Sequence, residues 1–178
     1  MPAPALAALV AALIAVVVIT ALTYRALAER SDAASAVNHT NDVEDHLHRF
    51  LSGLKDAETG QRGFLLTGAE RYLEPYQLAI GDITVELATL RRMTLDNVPQ
   101  QRRLDMIAPL VDSKLAELQQ TIDQRRAGDT AGALAVVQSD RGRVVMDRLR
   151  QNVDAMAAAE AALLAQRTDD WEASVQWS

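Results

Sequence analysis

Cysteine is absent from the sequence. That excludes a disulfide framework, a thiolate nucleophile and any thiolate metal site. Aromatic residues make up only 4%, and the 178 residues include just 8 glycines and 5 prolines. With alanine and leucine abundant, this composition favours helix over sheet. Basic residues are outnumbered, 18 Lys and Arg against 24 Asp and Glu, for a formal net charge of −6. An acidic balance of this kind does not suggest the basic patch of a nucleic-acid binder. Enzyme signatures are missing too: there is no phosphate loop, no HExxH, no G-x-S-x-G and no dinucleotide fingerprint. The chain itself is therefore not expected to be an enzyme, and no catalytic residue or cofactor is expected. His46 and His48 are two apart and so fall on different helix faces, whereas a zinc site would favour i, i+4 spacing. No metal ligand is expected.

What the sequence does have, first, is one long apolar run. From Ala3 to Thr23 no charged residue appears, and as a helix the run would span roughly 30 Å, the thickness of a bilayer core. Tyr24 and Arg25 come next as an interfacial anchor. A cleaved signal peptide would have a shorter apolar region and a basic start, although "ALA" at 26–28 resembles a cleavage site; a buried soluble helix is a third reading. We expect a transmembrane anchor over 1–24. Arg25 and Arg30 lie just after the run and nothing basic precedes it, a charge distribution that on its own opposes export of the C-terminal part.

Beyond the anchor, apolar residues recur every three or four positions. Val43, Leu47, Phe50, Leu54 and Ala57 form one stripe; Leu73, Tyr76, Ile80, Ile83, Leu87 and Leu90 a second. Leu104, Ile107, Val111, Leu115, Leu118 and Ile122 form a third; Leu134, Val137, Val145, Leu149, Val153 and Met156 a fourth, less regular. Heptad-like stripes in four helices make a bundle. Asn97 is placed to cap the third helix with Pro99 in its first turn, Gly128 to end it, and Asp129 to cap the next. Pro75 limits how early the second helix begins. The expected helices run to about 66, over 70–93, over 99–127 and over 130–172. The outer pair would be roughly 60 Å long and the middle pair roughly 40 Å. In up-down-up-down order the inner turn would stop roughly 20 Å short of the bilayer, leaving a two-helix stalk. The fold class expected is all-α: an N-terminal transmembrane helix followed by an up-down-up-down four-helix bundle with long first and fourth helices.

The stretch "DAETGQRGFLLTG" at 56–68 collects glycines and polar residues where the first helix nears its end. The seam through Phe50, Leu54 and Ala57 continues to Gln61 and Phe64, so Gln61 takes a core position, as a satisfied core amide or as a ligand or signalling contact. Asp56, Gly60, Gly63 and Thr67 share another face, which lets a neighbouring helix approach closely. Glu58 and Arg62, four apart, can pair; Arg62 could instead reach Asp123 or Asp129, or hold an anionic ligand. Tyr72 and Tyr76, also four apart, should pack their rings in the bundle with hydroxyls at its rim. The stretch reads as the end of a helix, at the far tip.

The same residues carry a resemblance. "NHTNDVEDHLHRFLSGLKDAETGQRGFLLTGAERYLEPYQLA", with an intact D-x-E-T-G-Q-R-G-[FY]-L-L-T-G run followed by Y-L-x-P-Y, resembles the third CHASE family of cyclase/histidine-kinase-associated sensory extracellular domains. "DNVPQQRRLDMIAPLVDSKLAEL" and "RRAGDTAGALAVVQSDRGRVVMDRLR" extend the likeness over about 38–155. The resemblance implies a helical, extracytoplasmic (periplasmic) input domain between two membrane spans of a bacterial signalling receptor of histidine-kinase, cyclase or chemotaxis type, in the inner membrane. The expected organisation is an anchor at 1–24, a sensory domain at 25–172, and an approach at 173–178 to a second span that this sequence does not contain. Trp171 and Trp177 fit such an approach to a membrane interface. Expected partners are the membrane, a second copy in a homodimer, and a cytoplasmic output module in the intact protein; nothing points to nucleic acid or names a small-molecule ligand. The ligand or signalling candidates are Glu58, Thr59, Gln61, Arg62, Tyr72 and Tyr76, and the structural motif is Asp56, Gly60, Gly63, Gly68 and Pro75. The rival reading is a membrane-anchored helical scaffold that binds a protein without sensing.

Overall fold

The computed structural model describes the backbone of residues 3–176 and the side chains of 11–21, 23–25, 27 and 34–169. Among the described residues the fold is all-helical. Helix α1 spans Ala3–Thr67, α2 Glu74–Met93, α3 Val98–Arg126, α4 Thr130–Gln138 and α5 Arg141–Gln176, with a 3-10 turn at Glu70–Leu73. The chain divides into two units, one of residues Asn41–Leu163 and one of the two chain ends, Met1–Thr40 and Leu164–Ser178.

The first unit is a bundle. Its core is the expected α1 seam, Val43, Leu47, Phe50, Leu54, Ala57 and Phe64, all at most 2% exposed, meeting Ile83 and Leu90 of α2, Leu104 and Leu118 of α3, and Leu149 and Met156 of α5. Helix directions alternate. Gly60 of α1 lies against Tyr76 of α2 while Gly53 lies against Ile83, so these two helices are antiparallel. Gln61 near the end of α1 bonds Thr121 near the end of α3, so these two run the same way. Gln100 at the start of α3 bonds the Met156 carbonyl far along α5, so that pair is antiparallel again.

The helix boundaries obey local chemistry. Gly68 at φ 70° stops α1, its N–H donating to the Phe64 carbonyl at 2.7 Å, in the left-handed conformation that glycine adopts at no steric cost. Pro75 sits in the first turn of α2, which starts at Glu74 and not at the expected 70, residues 70–73 forming the 3-10 turn instead. The Asn97 side chain accepts from the Gln100 N–H at 3.2 Å, and Asp129 accepts from the Gly132 N–H at 2.8 Å, so both expected caps form.

The fourth helix departs from expectation. Instead of one helix over 130–172 there are two, because Asp140 at φ 59° breaks the chain after Ser139. The break shifts the phase of the apolar stripe. Leu134 and Val137, expected in the core, are 52% and 38% exposed, while Ala133 and Met146 are buried. The irregularity of the fourth stripe was the trace of that interruption.

In the second unit the described apolar side chains at 13–19 are exposed, Ile19 by 63%. Among the described residues no helix is long and apolar enough to cross a membrane; residues 3–10, which begin the expected span, lie outside the described side chains, as do Arg30, Trp171 and Trp177.

Two glycines make opposite predictions. A Cβ on Gly60 would lie 2.9 Å from the Tyr72 carbonyl oxygen and 3.0 Å from the Tyr76 nitrogen, both backbone atoms. Gly60→Ala should therefore destabilise the bundle by about 1–3 kcal/mol despite the better helix propensity of alanine. Gly81, also helical, has nothing within 4 Å of such a Cβ. Gly81→Ala should stabilise by about 0.5–1 kcal/mol. Chemical denaturation monitored by circular dichroism measures both.

Candidate functional site

The last three turns of α1 present three faces, each with its own partners. The first is the glycine face. Gly60 and Gly63 admit Tyr72 and Tyr76 so closely that a Cβ on Gly63 would meet the Tyr72 ring at 2.8 Å. Gly60 and Gly63 thus serve the close approach their spacing suggested. What they admit is the 3-10 turn and the start of α2. Tyr76 is buried, and its hydroxyl donates to Gln119 Oε1 at 2.9 Å; Gln119 Nε2 in turn donates to Asp123 Oδ1 at 2.7 Å. Burial, and then the Asp123 carboxylate, push the Tyr76 phenol above its ordinary range. Tyr72 is only partly covered, with the Arg71 guanidinium 5.1 Å from its ring centre. Only one of the two tyrosines is therefore a core residue.

The second face is the core seam. Gln61 is 2% exposed, and its Nε2 donates to Thr121 Oγ1 at 2.6 Å; that hydroxyl donates to the Leu118 carbonyl at 2.8 Å. A polar layer thus joins α1 to α3 inside an apolar stack.

The third face carries charge. Arg62 pairs with Glu58 along the helix, and not with Asp123 or Asp129. Glu58 also reaches inward to Lys114 of α3, at 3.3 Å. Lys114 has a side chain only 3% exposed and lies 3.0 Å from Glu117 as well. A buried ammonium is costly unless paired and hydrogen-bonded, and here two carboxylates from two helices supply that pairing. The Glu117 carboxylate lies directly over Gly142 of α5, where any Cβ would collide with it. These groups open onto a polar cavity of about 230 Å³, whose far wall carries Asp140, Arg143 and Arg150. Asp140 is held below the usual carboxylate range by its hydrogen bond to Arg143.

The remaining candidates are peripheral. Thr59 is exposed, its hydroxyl donating to the Lys55 carbonyl at 2.8 Å. Asp56 is exposed, and Gly68 and Pro75 shape the chain where α1 ends and α2 begins. Beside them Arg126 makes two hydrogen bonds to Glu70, at 2.8 and 2.7 Å, and lowers the Glu70 carboxyl below its ordinary value. His46 faces α2, its Nδ1 2.5 Å from Glu86.

Sequence reasoning missed Lys114, Glu117 and Thr121. For Lys114 and Thr121 the signal was available in the strict seven-residue spacing of α3. Gln100, Leu104, Ile107, Val111, Lys114, Leu118 and Thr121 alternate steps of four and three, and nearly all are fully buried. Of the expected stripe, Leu104, Ile107, Val111, Leu118 and Ile122 are buried, but the step to the partly buried Leu115 passed over Lys114.

The buried cluster predicts non-additive energetics. Lys114→Met leaves two largely buried carboxylates without their cation and should cost about 3 kcal/mol. Lys114→Met with Glu58→Gln and Glu117→Gln should recover part of that loss, because the uncompensated charges go with it. Equal destabilisation of the single and triple variants in urea would contradict the arrangement.

Comparison with known proteins bears on the same residues. No curated protein matches this chain. The sensor domain of the Rhodopseudomonas palustris histidine kinase HK9 has a similar structure, with a TM-score of 0.66 and 28% identity over 71% of this chain and 98% of that one. The family model of the CHASE3 domain matches residues 33–170, which include all of α2, α3 and α4, the tip of α1 and the Lys114 cluster. By that match, over most of its length, the chain belongs to the CHASE3 family.

Proposed function

We propose that this chain is the sensory input region of a bacterial transmembrane receptor whose output module is a histidine kinase, a cyclase or a chemotaxis-type module. The bundle works on the extracytoplasmic side of the inner membrane. Residues 1–24 anchor it, 25–172 form the sensory region, and 173–178 lead toward a second span. The observation that carries this reading is that Glu58, Thr59, Gln61 and Arg62 lie on α1, Ala3–Thr67, the same helix that carries the apolar N-terminal run. A displacement at Glu58, Gln61 or Arg62 therefore travels along one helix into the apolar N-terminal run. Exposed Leu13, Ile14, Val16, Val17, Val18 and Ile19 supply the apolar surface that lipid would cover.

Signal passes by small helix shifts within a homodimer. The Gln61–Thr121 layer and the Lys114 cluster favour discrete arrangements over continuous sliding, because a half-paired buried polar group is costly. Gln61 and Thr121 set the register of α1 against α3. Glu58 and Arg62 couple that register to whatever enters the cavity beside Lys114. Tyr76 and the partly exposed Tyr72 hold α2 against the same end of α1, and Thr59 marks the outer face.

Two experiments test this. The sequence has no cysteine, so Thr59→Cys introduces one exposed thiol. A membrane-impermeant maleimide should label it in cells whose outer membrane alone has been opened; labelling only after full lysis would place the bundle in the cytoplasm. Second, the chain is joined to a second span and a reporter kinase. Gln61→Leu combined with Thr121→Val should change basal output by a few-fold, corresponding to a coupling of about 0.5–2 kcal/mol. Output indifferent to this pair and to Lys114→Met would remove the input role and favour a scaffold.

A further inference from the structure

A second concavity lies at the tip, between the last turn of α1 and α4, and differs in chemistry from the polar cavity. Its volume is about 480 Å³, and Leu65, Leu66, Ala133, Leu134 and Val137 make it apolar. Leu66 is 85% exposed and Leu134 52%. At its edge stands Arg125. The Arg125 Nε–H donates to the Leu65 carbonyl at 3.0 Å, and one terminal nitrogen donates to Thr130 Oγ1 at 3.0 Å. Those bonds fix the guanidinium in place and leave about three of its five N–H donors unused.

Among the described residues Arg125 also lacks an acid. Arg62, which also lines the groove, and the adjacent Arg126 are paired with Glu58 and Glu70, whereas no described carboxylate forms an ion pair with Arg125. A positioned, uncompensated guanidinium is suited to bidentate recognition of a carboxylate. An apolar groove of this size is suited to a small organic body.

We infer that the α1–α4 groove binds a small amphipathic monocarboxylic acid, its carboxylate on Arg125 and its apolar body on Leu66, Leu134 and Val137. The groove shares Arg62 and Val137 with the polar cavity, so an occupant bears directly on the Glu58–Arg62–Lys114 chain of charges. The physiological role of this site as the stimulus site rests on the sensory reading above, but binding itself does not.

Methyl-labelled NMR of the full chain in lipid nanodiscs tests it, with 3-phenylpropanoate as probe and its neutral amide and acetate as controls. The acid should shift the methyls of Leu66, Leu134 and Val137 and leave those of Leu104 unmoved. The amide and acetate should each bind at least about tenfold more weakly, since one loses the charge-assisted bonds and the other the apolar contact. Arg125→Gln should weaken the acid by about ten- to a hundredfold. Because Arg125 also tethers Leu65 and Thr130, an independent pair is needed at exposed Leu66. Leu66→Glu should abolish binding by repulsion, whereas Leu66→Lys should retain it. Equal shifts from acid and amide, or identical behaviour of the two Leu66 variants, would overturn the inference. So would concentration-dependent broadening of these methyls without probe, which would assign the groove to a second copy of the chain. Binding without any change in reporter output would leave this site standing and count against the sensory reading alone.

Discussion

The Lys114 ammonium is the constraint on which the middle of the bundle depends. It is almost wholly removed from water, and its charge must be answered inside the protein. Glu58 answers it from α1 and Glu117 from its own helix, while the Glu117 carboxylate rests on the bare backbone of Gly142 in α5. Three helices are thereby held at one level by a single cation. An apolar residue there could fill the space, but it would leave the helices freer to slide. Directional pairing removes that freedom, at a cost in desolvation that an apolar core would not incur.

The tip obeys a different constraint, that of volume. Gly60 and Gly63 give up helix propensity so that the chain can turn back through Tyr72 and Tyr76 in backbone contact with α1. The return then presents Tyr76 to Gln119 and Asp123, and Glu70 to Arg126. The polar residues that crowd this stretch are distributed by face: one set into the core, one into the cavity, one into solvent.

A receptor input domain needs an element that is both well packed and able to occupy more than one arrangement. The bundle combines an apolar seam with buried polar pairs at intervals along α3, at Gln100, Lys114 and Thr121. Each pair is formed in the observed register and would be broken by a small slide. The broken fourth segment contributes differently. By ending α4 at Gln138 and restarting at Arg141, it exposes the Leu134–Val137 side and leaves a groove against the end of α1.

Much of this was legible in the sequence, because helix, seam and cap are local properties. The 3-4 rhythm from Val43 to Phe64 identified the buried face of α1, and Asn97, Gly128 and Asp129 marked real boundaries. The same rhythm placed Gln61 in the core. The D-x-E-T-G-Q-R-G run marked the family. What only the tertiary structure decided was partnership. Nothing local tells Gln61 that it will meet Thr121, or Lys114 that Glu58 will come from another helix, since these pairs are about sixty residues apart and depend on how helices stack. Nor does local propensity reveal the left-handed turn at Asp140, a non-glycine residue in a conformation that ordinary side chains avoid. The sequence by itself determined the amphipathic stripes of the first three helices and most of their ends, but not the break in the fourth segment; the packing of the helices decided which polar groups became buried, and so where a site could form.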